Sequence, residues 1–453
     1  MIDALTLAAG VLLPWAAGSA VLHALLVRRG SSDPWLEAAY GHFLGIGLVM
    51  ILLTAQDALG WRLAFAPVAV ALGLTAVAGV AIARRAQPGV PTPTRSTGTV
   101  EPVPQSLLRW LAVVAVALLA VRVGTLAVEV LLRPLFAWDA WSQWATKAKA
   151  WSGLRELVPF ISYEDWIQRV PGFTDTAPNY PPAIPLLQTW MSLALGRWDD
   201  ALINLPWLAA YVALGLGVFG QLRGLGAGTS WAAIATYLAL SLPMLNVHVA
   251  LAGYADLHLA AVYALAVLAL ARWEATGNRA SLILLASVAY LLPLLKIPGI
   301  AWLGTLVAGL VVAASRAARL RVAAGAIPAL ALAAAVAYLM RPGRVGVLPA
   351  AEQQDIAQSL VQHLFAFGSW NLLWFLFPIA LAVGWREVVA RKATAAALAC
   401  GFGILVWTFF FTKTGDWVVD YTTVNRALLH VAPAAVAFAV LVIASRARRP
   451  AYH

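Results

Sequence analysis

The sequence predicts an all-α integral membrane protein of about thirteen transmembrane helices, with a large extracytoplasmic loop that carries interfacial helices. Three observations lead there. The 453 residues are 62% hydrophobic and only 11% charged, less than half the charge, roughly 25%, of a typical soluble domain. The apolar residues come in long blocks, such as 201–221 and 427–445, and a helix needs roughly 20 such residues to cross about 30 Å of hydrocarbon. The basic residues gather at block ends, in Arg28-Arg29, Arg84-Arg85, 316–321, 386–392 and 446–449, which is how cytoplasmic loops are marked.

Taken in order, the blocks place spans at 4–27, 38–57, 62–83, 109–131, 201–222, 230–249, 254–272, 280–295, 298–315, 322–340, 368–385, 394–412 and 426–445. Alternating the arginine-rich ends puts the N-terminus outside and the C-terminus inside. Residues 1–83 read as an N-terminal three-helix membrane segment and 84–108 as a cytoplasmic linker. Residues 109–445 read as the membrane core, including the outer loop 133–200, and 446–453 as a cytoplasmic tail. The linker is rich in Pro, Thr and Gly with no periodicity, the composition of a flexible connector. Met1-Ile2-Asp3 has no basic region of the kind that opens a cleaved signal peptide. The net charge of +11 sits at helix ends, which excludes nucleic acid as a partner. With Cys400 as the one cysteine, no intrachain disulfide forms.

The outer loop is too long for a plain connector. Near its start, Trp138, Trp141, Trp144, Ala148 and Trp151 recur at helical spacing and predict an interfacial helix with its indoles in the headgroup layer. Asp139, Ser142, Gln143, Thr146, Lys147 and Lys149 fall largely on its other side. Asp139 is then either the N-cap of that helix or a carboxylate facing water and substrate. Further along, Asn179-Tyr180-Pro181-Pro182 predicts a rigid turn into another helix, holding Asn179 and Tyr180 near whatever Asp139 faces.

Ionisable residues beside membrane spans are costly and so mark function. Of five lysines, Lys147, Lys149, Lys296 and Lys413 fall outside, against the usual bias. An anionic ligand explains that placement, and so does pairing with outer carboxylates. Lys296 has no acidic neighbour in sequence. Arg426 opens the last span, with His430 one turn deeper on the same face. Its planar fork of donors suits phosphate oxygens; the alternative is a pairing with Asp416 or Asp420. Asp256, His248 and His258 also fall near outer helix ends. No metal-ligand spacing or Gly-rich phosphate loop is present, so no cofactor is expected, with a divalent metal left open.

These residues resemble the GT-C superfamily of polytopic glycosyltransferases, and within it the branch of protein O-mannosyltransferases and lipid A aminoarabinose transferases. Asp139 in Phe136-Ala137-Trp138-Asp139-Ala140-Trp141 looks like that branch's loop carboxylate, and Tyr180-Pro181-Pro182 like its proline motif. Asn425-Arg426-Ala427-Leu428-Leu429-His430 is similar to the basic motif that opens a late helix. The likeness covers residues 109–445. It departs in having one acidic residue where the branch often has two adjacent, and in placing the loop after the fourth span.

The resemblance implies an enzyme that moves a sugar from a polyprenyl-phosphate-linked donor to an acceptor hydroxyl with inversion, at the outer face of a bacterial inner membrane. Asp139 would be the general base, and Arg426 and Lys296 would hold the donor phosphate. Tyr180, Asn179, Asp256, His248, His430 and Lys147 would bind substrate. The expected partners are the lipid-linked donor, a lipid, glycan or protein acceptor, and membrane lipids. The alternatives are a transporter or flippase of lipid-linked sugars, which should show broken helices near the midplane, and a surface polysaccharide polymerase or ligase.

Overall fold

A chain without water around its backbone must satisfy its peptide groups internally, and helices do so within one segment. The computed structural model, which describes residues 2–86, 104–314, 350–421 and 423–448, is helical almost throughout. The expected span 322–340, most of the linker and the end of the tail lie outside the described residues. The chain opens with α1 (Ile2–Val27), α2 (Pro34–Ala58), α3 (Phe65–Arg85) and α4 (Gln105–Leu132). A π-helical turn at Ala140–Ala145 leads into α5 (Thr146–Leu154), α6 (Tyr163–Ile167) and α7 (Ala183–Leu195). The two-residue strands Phe160–Ile161 and Phe173–Thr174 pair in parallel within this stretch.

The second half runs through α8 (Leu205–Gly224), α9 (Thr229–Leu240), α10 (Pro243–Ala250), α11 (Asp256–Thr276), α12 (Arg279–Ala289), α13 (Leu292–Leu295) and α14 (Gly299–Ala313). It resumes with α15 (Ala350–Val361), α16 (Leu373–Val383), α17 (Trp385–Ala390), α18 (Lys392–Phe411), α19 (Asp416–Val419) and α20 (Val424–Ala447). Among the described residues, eight helices are long and apolar enough to cross a membrane, or nine if α9 and α10, bent by 63°, count as one span. The protein is thus an all-α, membrane-embedded bundle. The peripheral helix α4 leaves Val113, Val116 and Val121 at least half exposed, an apolar flank suited to lipid and costly in water.

The three other expected spans within the described residues are shorter helices, and proline accounts for two of them. Pro293 starts α13, Lys296 is extended at φ −160°, and Pro298 precedes α14, so the 279–313 stretch is cut where backbone donors are missing.

Two features of the loop differ from expectation. Every residue of α7 is buried, including Gln188, Thr189 and Ser192. Residues 183–195 therefore leave the surface and enter the bundle, where Trp190 donates to the Gly10 carbonyl of α1 at 2.7 Å. The tryptophan stripe also divides: Trp138 and Trp141 are exposed at 63% and 45%, whereas Trp144 and Trp151 are buried. The cause is the π-helical turn, whose wider winding rotates Trp144 off the stripe that an α-helical period draws, and into the protein.

The first three helices are tied to the rest by buried polar contacts. The Tyr40 hydroxyl donates to the Leu265 carbonyl of α11 and receives Gln221 of α8. One end of the bundle brings together the arginine-bearing turns near Arg28, Arg279, Arg391 and Arg446. There Asn278 donates to Ser31, and Glu274 receives the backbone N–H groups of Ala393 and Thr394 that open α18. Arg446 reaches the Val383 carbonyl at the same end. The opposite end carries the loop from Arg133 to Ala201 and the starts of α11 and α20. The central helix α11 is buried from Asp256 to Ala271, so whatever stands at its first residue is held rigidly.

Candidate functional site

Asp256 is that first residue. A carboxylate suits a helix N-terminus, where the backbone dipole ends positive, but at 0% exposure it also needs explicit partners. It has three. Lys296 Nζ lies 2.7 Å from Oδ1, and His430 Nε2 lies 2.8 Å from the same oxygen. Arg426 brings Nε at 3.1 Å and Nη2 at 2.9 Å to Oδ2. The proline-broken connection between α13 and α14 delivers Lys296, and the first turns of α20 deliver Arg426 and His430.

Trp302 fixes the state of His430. Its indole Nε1 donates to His430 Nδ1 at 3.2 Å. An indole N–H only donates, so Nδ1 is the bare nitrogen, and the neutral ring carries its proton on Nε2 and gives it to Asp256. His430 is therefore a second-layer support for Asp256 and turns away from the opening. Arg426 spans the cluster. Besides gripping Asp256, its Nη2 lies 2.6 Å from Asp139 Oδ2, and its guanidinium stacks over the Tyr254 ring at 4.5 Å, a cation–π contact. The Asp139 side chain is 20% exposed and that of Arg426 16%, against 0% for Asp256. The cluster opens on the Asp139–Arg426 side and closes on Asp256.

Asp139 precedes the π-helical turn but makes no capping hydrogen bond; its carboxylate goes to Arg426. What brings that turn close is Gly253, which sits at φ +110° between α10 and α11. A Cβ there would meet the Cβ of Ala140 at 2.6 Å, so only glycine allows this approach, in both conformation and space.

The remaining sequence candidates fall in different places. Lys147, expected to bind substrate, is 2% exposed. Its ammonium faces Asp175 at 3.2 Å and donates to the carbonyls of Ala177 at 2.6 Å and Pro178 at 3.3 Å. Those contacts tie the 175–178 turn to α5 and turn the ammonium inward. Burial pushes the Lys147 ammonium below its ordinary value, against the pull of Asp175, and pushes the Asp175 carboxyl up, against the pull of Lys147. Tyr180 packs edge-on against Trp144 at 5.2 Å and Asn179 is exposed. Through Tyr180 the Tyr-Pro-Pro segment packs on the π-helical turn that follows Asp139. Asp256 was also expected to touch substrate, and its burial makes it the anchor of the cations instead. His258 is buried against Trp207 at 4.8 Å, while His248 borders the cluster through Tyr254, ring to ring at 5.4 Å.

Tyr254, Trp302 and Gly253 were not singled out from the sequence. Gly253-Tyr254-Ala255-Asp256 carries one usable signal, a glycine three residues before an acidic helix start. Among the described residues no three His, Cys, Asp or Glu side chains converge as metal ligands would. No protein-family profile, curated protein or solved structure matches this chain.

The arrangement has a definite chemical capacity. Two fixed cations, one a planar fork, can neutralise a phosphate. Asp139, the outermost member, is held to Arg426 by the ion pair such a phosphate would replace.

Proposed function

We propose that this chain is a membrane glycosyltransferase that moves a sugar from a polyprenyl-phosphate-linked donor to an acceptor hydroxyl, with inversion, at the extracytoplasmic face of a bacterial inner membrane. The observation that carries this reading is the Asp139–Arg426 contact of 2.6 Å at the open side of a buried charge cluster. A base and a phosphate-binding cation belong within one substrate's length of each other, and here they touch. The donor phosphate takes the face of Arg426 that Asp139 occupies, with Lys296 as second cation, and Asp256 keeps both cations in place. Displaced from Arg426, Asp139 is free to act as general base. It takes the proton of the acceptor hydroxyl as that oxygen bonds to the anomeric carbon. The bond from that carbon to the phosphate oxygen breaks, and the lipid phosphate leaves with its added negative charge on Arg426.

A place for the lipid supports the same reading. An apolar groove of about 500 Å³ lies between α9, α16 and α20, lined by Trp231, Leu238, Leu373, Phe377, Val436 and Val440 among others. Val436 is ten residues along α20 from Arg426, or about 15 Å at the helical rise, a distance a prenyl chain covers easily. The orientation we propose keeps the thirteen spans expected from the sequence, with the charge cluster outside.

A second reading has an observation of its own. The 63° bend between α9 and α10 is the kind of broken span transporters use. The break at Ser241–Leu242 opens on the apolar groove, however, while the charges stand at the far end of α10, and this favours the enzyme. Protein reconstituted in vesicles with a panel of polyprenyl-phosphate sugars on the cluster side separates the two. Free polyprenyl phosphate appearing with a new glycoside supports transfer. Movement of intact lipid-linked sugar across the bilayer, without phosphate release, would overturn it.

A further inference from the structure

Both carboxylates of the cluster are engaged by cations, yet one acceptor at its edge is not. His248, on α10, is 2% exposed. Its Nδ1 stands 2.9 Å from the Met244 carbonyl one turn back. A carbonyl oxygen only accepts, so Nδ1 carries the proton, and the neutral ring presents Nε2 as a bare lone pair. That nitrogen is buried and has no hydrogen-bond partner among the described residues. The ring neighbours Tyr254 at 5.4 Å, and Tyr254 lies beneath the Arg426 guanidinium at 4.5 Å. Asp256, Arg426 and Lys296 all act on His248 electrostatically. His258 also has unpartnered ring nitrogens, but it is two residues beyond Asp256 on α11, hence turned about 200° around the helix, into the packing beside Trp207 and away from the cluster.

We propose that His248 Nε2 accepts a hydrogen bond from a hydroxyl of the ligand whose phosphate Arg426 and Lys296 hold, and thereby makes the site select a hydroxylated phosphate ester over a bare lipid phosphate. This rests on the phosphate-holding role proposed above and adds a headgroup requirement to it. A buried acceptor left unpaired is costly, and a site built around such a group rejects ligands that cannot satisfy it far more strongly than apolar packing does. A hydroxyl within reach of Nε2 satisfies it; a terminal phosphate ester without one leaves it bare.

Binding, measured without turnover, tests this. Full-length protein in nanodiscs is titrated with farnesyl phosphate and with its glucose, mannose and arabinose esters. The wild type should prefer at least one ester by about tenfold or more. His248→Phe, which keeps the ring and removes the acceptor, should lose that preference while its affinity for farnesyl phosphate stays the same. His248→Asn, too short to reach, should do likewise if the phenyl ring is not tolerated. Preference retained in a folded variant, or no preference in the wild type, overturns the proposal while phosphate binding stands. If farnesyl phosphate does not bind at all, or binds equally to Arg426→Ala, the phosphate-holding role falls and this inference with it.

Discussion

At the scale of single residues, the site is a chain of donors with Asp256 as its terminus. Removing one partner of a buried ion pair costs about 3–5 kcal/mol because the other charge is left bare, so Asp256 variants report on folding more than on chemistry. Asp139 and Arg426, on the open side, report on chemistry. Asn caps a helix about as well as Asp, and the Asp139 side chain makes no cap bond, so Asp139→Asn should insert and fold normally. An amide has no comparable proton affinity, and transfer at saturating donor should fall roughly a hundredfold or more. Wild-type turnover in that variant would remove Asp139 from the mechanism. Arg426→Lys keeps the charge but gives up the fork that reaches Asp256 and Asp139 together. We expect a large rise in the donor concentration needed for half-maximal rate, and near-normal donor dependence would shift the phosphate to Lys296. These residues were legible in the sequence because a charge beside apolar spans is expensive and stands out. Tyr254 and Trp302 were not, since one more aromatic ring gives no contrast in a chain with 20 tryptophans and 11 tyrosines. Sequence neighbourhood pairs Arg426 with Asp416 or Asp420; its partners in the structure lie 170 and 287 positions earlier, which no local pattern reports.

At the scale of elements, what places Asp139 is the docking of the π-helical turn on the junction of α10 and α11. That junction depends on Gly253, whose positive φ and 2.6 Å clearance for a Cβ exclude other residues. Gly253→Ala should therefore push the turn away and part Asp139 from Arg426, while the spans themselves are untouched. Amide exchange across 138–146 should quicken and transfer should drop, with the melting temperature little changed. Unaltered exchange there would show that the approach is not set by this glycine. The π-helical turn and the buried α7 escaped the sequence reading for related reasons. The spacing of the indoles fits an α-helical period that the π turn does not keep. The thirteen residues of α7 are too few to span, and a stretch of that length reads as part of the loop. The Pro181-Pro182 start of that helix was legible, because proline suits a first helical turn whatever the depth.

At the scale of the whole molecule, function depends on which face of the membrane the cluster occupies. The turns near Arg28, Arg279, Arg391 and Arg446 are gathered by Asn278–Ser31, by Glu274 at the start of α18 and by Arg446–Val383, and Asp139, Asp256, Lys296 and Arg426 stand at the opposite end. Since cytoplasmic loops retain Arg and Lys, the cluster should face out, where nucleotide sugars are absent and a lipid-linked donor is the available supply. Cys400 is the one native thiol and is exposed, so Cys400→Ser supplies a clean background. Gln168→Cys, on the exposed segment after α6, and Ala390→Cys, exposed between Arg386 and Arg391, then mark the two ends. In intact cells an impermeant maleimide should label Gln168→Cys at once and Ala390→Cys only after the membrane is opened. The reverse order would put the cluster in the cytoplasm, within reach of nucleotide sugars, and would remove the reason for a lipid-linked donor. Labelling of both from one side would break the alternation of ends on which the span order rests.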